Sequence, residues 1–177
     1  MNQQIHTLRE AVAAVKSIAA EVKSVQEEEA RTKAAVETAV ASGDETQIGA
    51  IIQDRTRLEL FPARIEKLKQ PQAAAISRLR EELESATLAI VRQCIVEQNA
   101  AQKRIQDFLQ CELAEPYRAE TFAREIVPHS KQHQAAESVS RYLHPNAVRL
   151  VNGVEGLLSL ADRVIGHLDK PSAAKAS

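Results

Sequence analysis

The chain reads as an all-α protein: a long antiparallel coiled-coil hairpin whose second helix is proline-kinked, followed by a small C-terminal helical head. Three observations predict this. Hydrophobic residues make up 44% of the 177 but aromatics only 3%, so the apolar content is mostly Ala, Val, Ile and Leu; Ala and Leu favour helix, whereas aromatics favour strand. Apolar residues recur at three- and four-residue steps along most of the chain, the period of a helix face. The clearest reversal signal, Ala41-Ser42-Gly43-Asp44, is short enough to lay two neighbouring helices antiparallel.

Ile5, Leu8, Val12, Val15, Ala19 and Val22 form a heptad seam, which predicts a first helix over residues 3–41, about 60 Å long at 1.5 Å per residue. Gln26, Glu29 and Lys33 interrupt the seam before Val36 and Val40 resume it. Gly43 suits the left-handed residue that ends a helix. Asp44 with Gln47 resembles a capping box opening the next helix.

The second helix is expected over 45–113. Its seam, Ile48, Ile51, Arg55, Leu58, Pro62, Ile65, Lys69, Gln72, Ile76, Leu79, Leu83, Ala86 and Ile90, keeps phase through Pro62 and Pro71. A reversal at Pro71 has no reason to preserve phase, and no Gly, Asn, Asp or Ser stands beside it to build a turn. The alternative starts a third helix at Pro71, since proline suits a first helical turn. Near residue 90 the seam slips to Leu88, Val91, Ile95, Gln98, Gln102, Ile105 and Leu109, and a slip marks a change of packing partner.

Pro116, Pro128 and Pro145 divide the remainder into expected helices at 116–126, 129–143 and 146–168. Four of the five aromatics, Phe108, Tyr117, Phe122 and Tyr142, lie between 108 and 142, and aromatics bury large areas, so a compact head is placed in this part. The last helix carries the broadest apolar stripe: Ala147, Leu150, Val154, Leu157, Ala161, Val164 and Leu168 form a heptad, Val151, Leu158 and Ile165 widen it, and Val148 and Leu160 lie outside it. Domains are thus expected at 1–114 for the hairpin and 115–170 for the head, with 171–177 a disordered tail.

The formal net charge of −1 gives no bulk attraction to nucleic acid or anionic lipid. No N-terminal apolar run resembles a secretory signal, and no stretch reaches the roughly 18 apolar residues of a membrane span. These features point to the cytoplasm. Cys94 and Cys111, on one expected helix, stand about 25 Å apart at its rise per residue and cannot bridge each other there.

Few constellations suggest chemistry. His129 and His133 lie one turn apart, with Glu125 and Glu137 one turn to either side; the spacing suits a metal, but such residues on a charged helix are commonly only solvated. Seven bases between 55 and 80 (Arg55, Arg57, Arg64, Lys67, Lys69, Arg78, Arg80) follow seven acids between 21 and 45 (Glu21, Glu27, Glu28, Glu29, Glu37, Asp44, Glu45). Folding about Gly43 lays the acidic segment beside the near part of the basic one, so pairing across the hairpin is expected. Arg78 and Arg80, furthest from the acids, and Arg118 and Arg124 in the head remain candidate anion-binding residues. Gly153 and Gly156 are expected to let a neighbouring helix approach the last one closely.

The stretch Val40–Glu45, together with Arg57-Leu-Glu-Leu-Phe-Pro-Ala-Arg-Ile-Glu-Lys-Leu, resembles helical hairpins of bacterial and phage proteins. It covers under a quarter of the chain and implies no activity. No motif asks for catalysis, a cofactor or a metal. The expectation is a non-enzymatic, homo-oligomeric scaffold or adaptor, bacterial or phage-encoded, that also binds another protein. Its interface is placed at Leu150, Val154, Leu157, Leu158, Val164 and Ile165. The alternative is a helical oligomer that captures an anionic small molecule or nucleic acid.

Overall fold

The structure, a computed structural model, describes residues 2–43, 45–112, 119–143 and 145–169, with the side chains at 2, 45, 109–112, 119–123, 125 and 145 left aside. Tyr117, Arg118 and the expected tail 171–177 lie outside the described residues, as do the side chains of Leu109, Cys111 and Phe122. Everything regular is helical: α1 is Asn2–Ser42, a 3-10 turn is Glu45–Gln47, α2 is Ile48–Glu112, α3 is Ala119–Tyr142, α4 is Pro145–Leu150 and α5 is Val154–Leu168. No strand occurs among the described residues. The all-α expectation holds, and α1 and α2 pack together as the antiparallel hairpin.

The described residues form two compact units, Met1–Leu8 with Arg80–Ser177, and Arg9–Leu79.

In the unit Arg9–Leu79, α1 ends at Gly43, whose φ of 66° is left-handed and whose N–H reaches the Val40 carbonyl at 3.3 Å. An L side chain rarely adopts that backbone, which is why glycine stops the helix here. The apolar edge of α1 holds Ala11, Val12, Val15, Val25 and Val36. Its polar middle turns Val25 inward rather than Gln26, because a straight helix drifts by about 20° per heptad against a strict seven-residue repeat.

On α2 the expected seam is the inner one at Ile51, Leu58, Ile65, Gln72, Ile76, Leu79, Leu83, Ala86 and Ile90, but between these the inner positions fall one residue before the expected ones. Phe61 is buried and Leu68 half-buried, while Pro62 and Lys69 are exposed. This corrects the sequence reading and explains why α2 passes unbroken through Pro62 and Pro71, which both face water. Each proline deprives the carbonyl four residues earlier of its helical donor, and on an exposed flank water replaces that donor. Of the charge pairing expected across the hairpin, Arg64 meets Glu28 at 2.9 Å; Arg78, expected to lie away from the acids, instead meets Glu10, outside the acidic segment, at 3.7 Å. The guanidinium of Arg64 also lies 5.4 Å from the centre of the Phe61 ring, so the polar middle of α1 is met by one aromatic anchor and one ion pair.

In the other unit, α2 buries Leu83, Ala86, Thr87, Ile90, Cys94 and Ala101. The slipped stripe expected at 88, 91 and 95 is therefore not the packed one; Leu88 and Ile95 are exposed. Thr87, fully buried, donates its hydroxyl to the carbonyls of Leu83 at 2.8 Å and Glu84 at 3.0 Å, which removes the penalty of burying it. Thr7 on α1 donates to Glu82 at 3.0 Å.

α3 continues through Pro128, where a boundary was expected. Ile126, Ala136 and Leu143 are all buried, and keeping them on one broad helix face offsets the single hydrogen bond that Pro128 forfeits. The reverse correction applies to the last expected helix, which breaks between α4 and α5. Gly153 has φ 82° and ψ 159°, a conformation essentially restricted to glycine. The break buries Val148 and leaves Leu150 79% exposed, so the heptad that joined Leu150 to Val154 is interrupted. Gly156 accepts a close neighbour, but not another helix: a Cβ there would lie 2.7 Å from a methyl of Val151, in the connecting segment.

Candidate functional site

The residues expected at an interface separate into two groups. Leu157 and Val164 are core residues of α5, packed with Leu160, Ala161 and Leu168. Val154, Leu158 and Ile165 are half-buried, and Leu150 on α4 faces water.

The candidate anion-binding arginines are placed one by one. Arg78 pairs with Glu10. Arg80 donates from Nη2 to the Val151 carbonyl at 3.3 Å, which satisfies a backbone group freed by the break before α5. Arg124 is exposed on α3, and Arg118 lies outside the described residues.

His129 and His133 are half-buried on α3. Glu137 is ion-paired with Arg141, and the Glu125 side chain lies outside those described. Among the described residues no group of three or more His, Cys, Asp or Glu side chains is placed to hold a metal ion. No helix among them is long and apolar enough to cross a membrane.

Sequence reasoning missed a wide concavity among the described residues. Within the unit Met1–Leu8 with Arg80–Ser177, α2 and α3 leave a cleft of about 830 Å³. Only six residues separate the two helices, and so short a connection sets them antiparallel. Ile90, Cys94 and Ala101 on α2 face Ala136 and Val139 on α3. The small side chains explain the gap: Ala100 and Ala101 on α2 and Ala135 and Ala136 on α3 all line it, where larger residues would fill the space between the helices. Arg104 and Lys131 line the cleft where α2 leaves it and α3 enters it, and His167 lines it from the end of α5. The one carboxylate, Glu97, accepts a hydrogen bond from the Gln93 amide at 3.0 Å. Cys94 is a free thiol. Its pKa is raised, first by burial and then by the negative charge of Glu97, so at neutral pH it is a protonated, apolar part of the floor. The signal was present in the sequence as two alanine pairs, but nothing in the pattern brought them to one cleft.

Aliphatic side chains also lie open to water. Leu88 is 41% and Ile95 47% exposed, seven residues apart and so on one face of α2. At about 100° per residue that face lies on the far side of α2 from the cleft. In the other unit, Val40, Ile48 and Ile52 are each at least half exposed where α1 gives way to α2.

Comparison of the chain with protein-family models, with curated proteins and with solved structures finds no match in any of the three.

Proposed function

We propose that this protein is a non-enzymatic helical scaffold or adaptor that associates with copies of itself, working in the cytoplasm of a bacterium or of a phage-infected cell. The observation that carries the reading is the outward row on α2. The periodic stripe to which the seam slips has Leu88 and Ile95 exposed, with Val91 half-buried between them. Apolar residues scattered singly on a surface need no explanation, but residues repeating at seven along one face suit a facing helix. The exposed aliphatics at Val40, Ile48 and Ile52 offer a second place for a partner protein to bind.

Capture of an anion at Arg78 and Arg80 draws less support, because both guanidinium groups already have partners within the fold.

Light scattering over the high micromolar range tests the proposal. The wild-type chain is expected to exceed its monomer mass, and Leu88→Glu with Ile95→Glu to return it to the monomer. Both positions are exposed, so the double variant keeps its helical circular dichroism. A wild-type chain that stays monomeric throughout the range overturns the reading.

A further inference from the structure

We infer that the cleft between α2 and α3 binds a long-chain aliphatic carboxylate, with the alkyl chain along the floor of Ile90, Cys94, Ala101, Ala136 and Val139 and the carboxylate at Arg104 and Lys131. This goes beyond the scaffold reading and does not depend on it, because the cleft and the outward row occupy opposite sides of α2.

Size, lining and charge support it together. A volume of about 830 Å³ falls in the range of small-molecule sites, which are mostly apolar with a few placed polar groups. From Ile90 to Arg104 the α2 wall runs about 21 Å at 1.5 Å per residue, a length that suits an extended chain better than a compact ring. The polarity is graded along that length. Because α3 runs antiparallel to α2, the Lys131 end of α3 meets the Arg104 end of α2, and the Val139 end meets Ile90. Two cations therefore converge at one end of an apolar trough. Glu97, the opposing charge, lies between them and Ile90 and is held by Gln93. Such a site takes an aliphatic chain for its area and a single anionic head for its orientation. A neutral chain leaves the two cations unmatched, and a short anion makes no use of the apolar length.

Calorimetric titration of the full chain with dodecanoate, kept below its micelle concentration, tests this. Saturable binding of one dodecanoate per chain is expected, with acetate giving no signal and dodecan-1-ol binding at least fivefold more weakly. Arg104→Ala with Lys131→Ala is expected to weaken dodecanoate at least tenfold. Ala100→Leu with Ala135→Leu, both at exposed positions, fills the cleft mouth without entering the core and is expected to abolish binding. Absence of saturable binding overturns the inference. So does binding that survives the leucine pair, or that is indifferent to the two cations. If the leucine pair instead dissociates an oligomer in light scattering, the cleft is filled by a second copy and the inference fails, while the self-association reading survives.

Discussion

Phe61 shows how one residue can organise a polar stretch. It is 1% exposed on a stretch of α2 whose neighbouring positions are mostly exposed. Its ring anchors α2 against α1 and carries the Arg64 guanidinium above it. Truncation to alanine removes buried aromatic area and leaves a cavity, so Phe61→Ala is expected to destabilise the chain by about 3–5 kcal/mol, read as a lower urea midpoint. Phe61 was hidden from the sequence reading because the periodic seam placed Pro62 and Lys69 on the inner face; replacing those two positions by Phe61 and Leu68, with Leu58 and Ile65 kept, recovers the inner row there. Cys94 is the second informative residue. Burial, then Glu97, raises its pKa above the usual 9.0. The folded chain therefore holds the thiol proton at pH values where the unfolded chain has released it. With fewer protons on the unfolded state, stability falls as pH rises past that ordinary value. Chemical denaturation between pH 8 and 10 is expected to show this decline, and Cys94→Ala to flatten it.

At the scale of elements, the helices α1 and α2 were legible because their period is long and their reversal has a glycine that must be left-handed. The head was less legible, since prolines suit both a helix start and an exposed helix interior, and only burial on both flanks decides. Thus α3 runs on through Pro128, whereas the glycine pair in 153–156, expected to admit another helix, instead breaks one helix and receives Val151. That pair yields a sharp test. Gly156→Ala gains roughly 1 kcal/mol of helix propensity, yet its new methyl would meet Val151 at 2.7 Å. A net loss of thermal stability is expected, with Val151→Ala in the same chain recovering part of it, a coupling that a double-mutant cycle measures. The hairpin register is carried partly by Arg64 and Glu28, whose side chains are 48% and 46% exposed. An exposed pair contributes under about 1 kcal/mol, so Arg64→Glu is expected to lower stability modestly, and Glu28→Arg added to it to restore most of the loss.

The whole molecule joins a core of aliphatic side chains to aliphatic rows left in water, and none of the cleft was legible, because two alanine pairs gain meaning only once α3 is laid against α2. The outward row on α2 was legible as a pattern and misassigned as packing: the sequence shows that Leu88, Val91 and Ile95 share a face, but the core uses Ile90, Cys94 and Ala101 instead. If that row joins two copies, folding and association are linked. An assembly that forms only from folded chains draws the equilibrium toward the folded state by mass action. The melting temperature of the wild-type chain should then rise with protein concentration. Across a hundredfold range, each tenfold step contributes at most about 1.4 kcal/mol per mole of dimer formed, enough to move a melting curve by a few degrees. Leu88→Glu with Ile95→Glu removes the facing surface and leaves the intramolecular core intact. Its melting temperature is expected to be independent of concentration and to match that of the wild type at high dilution. A melting temperature that stays flat with concentration in both proteins would show that the row covers no second copy.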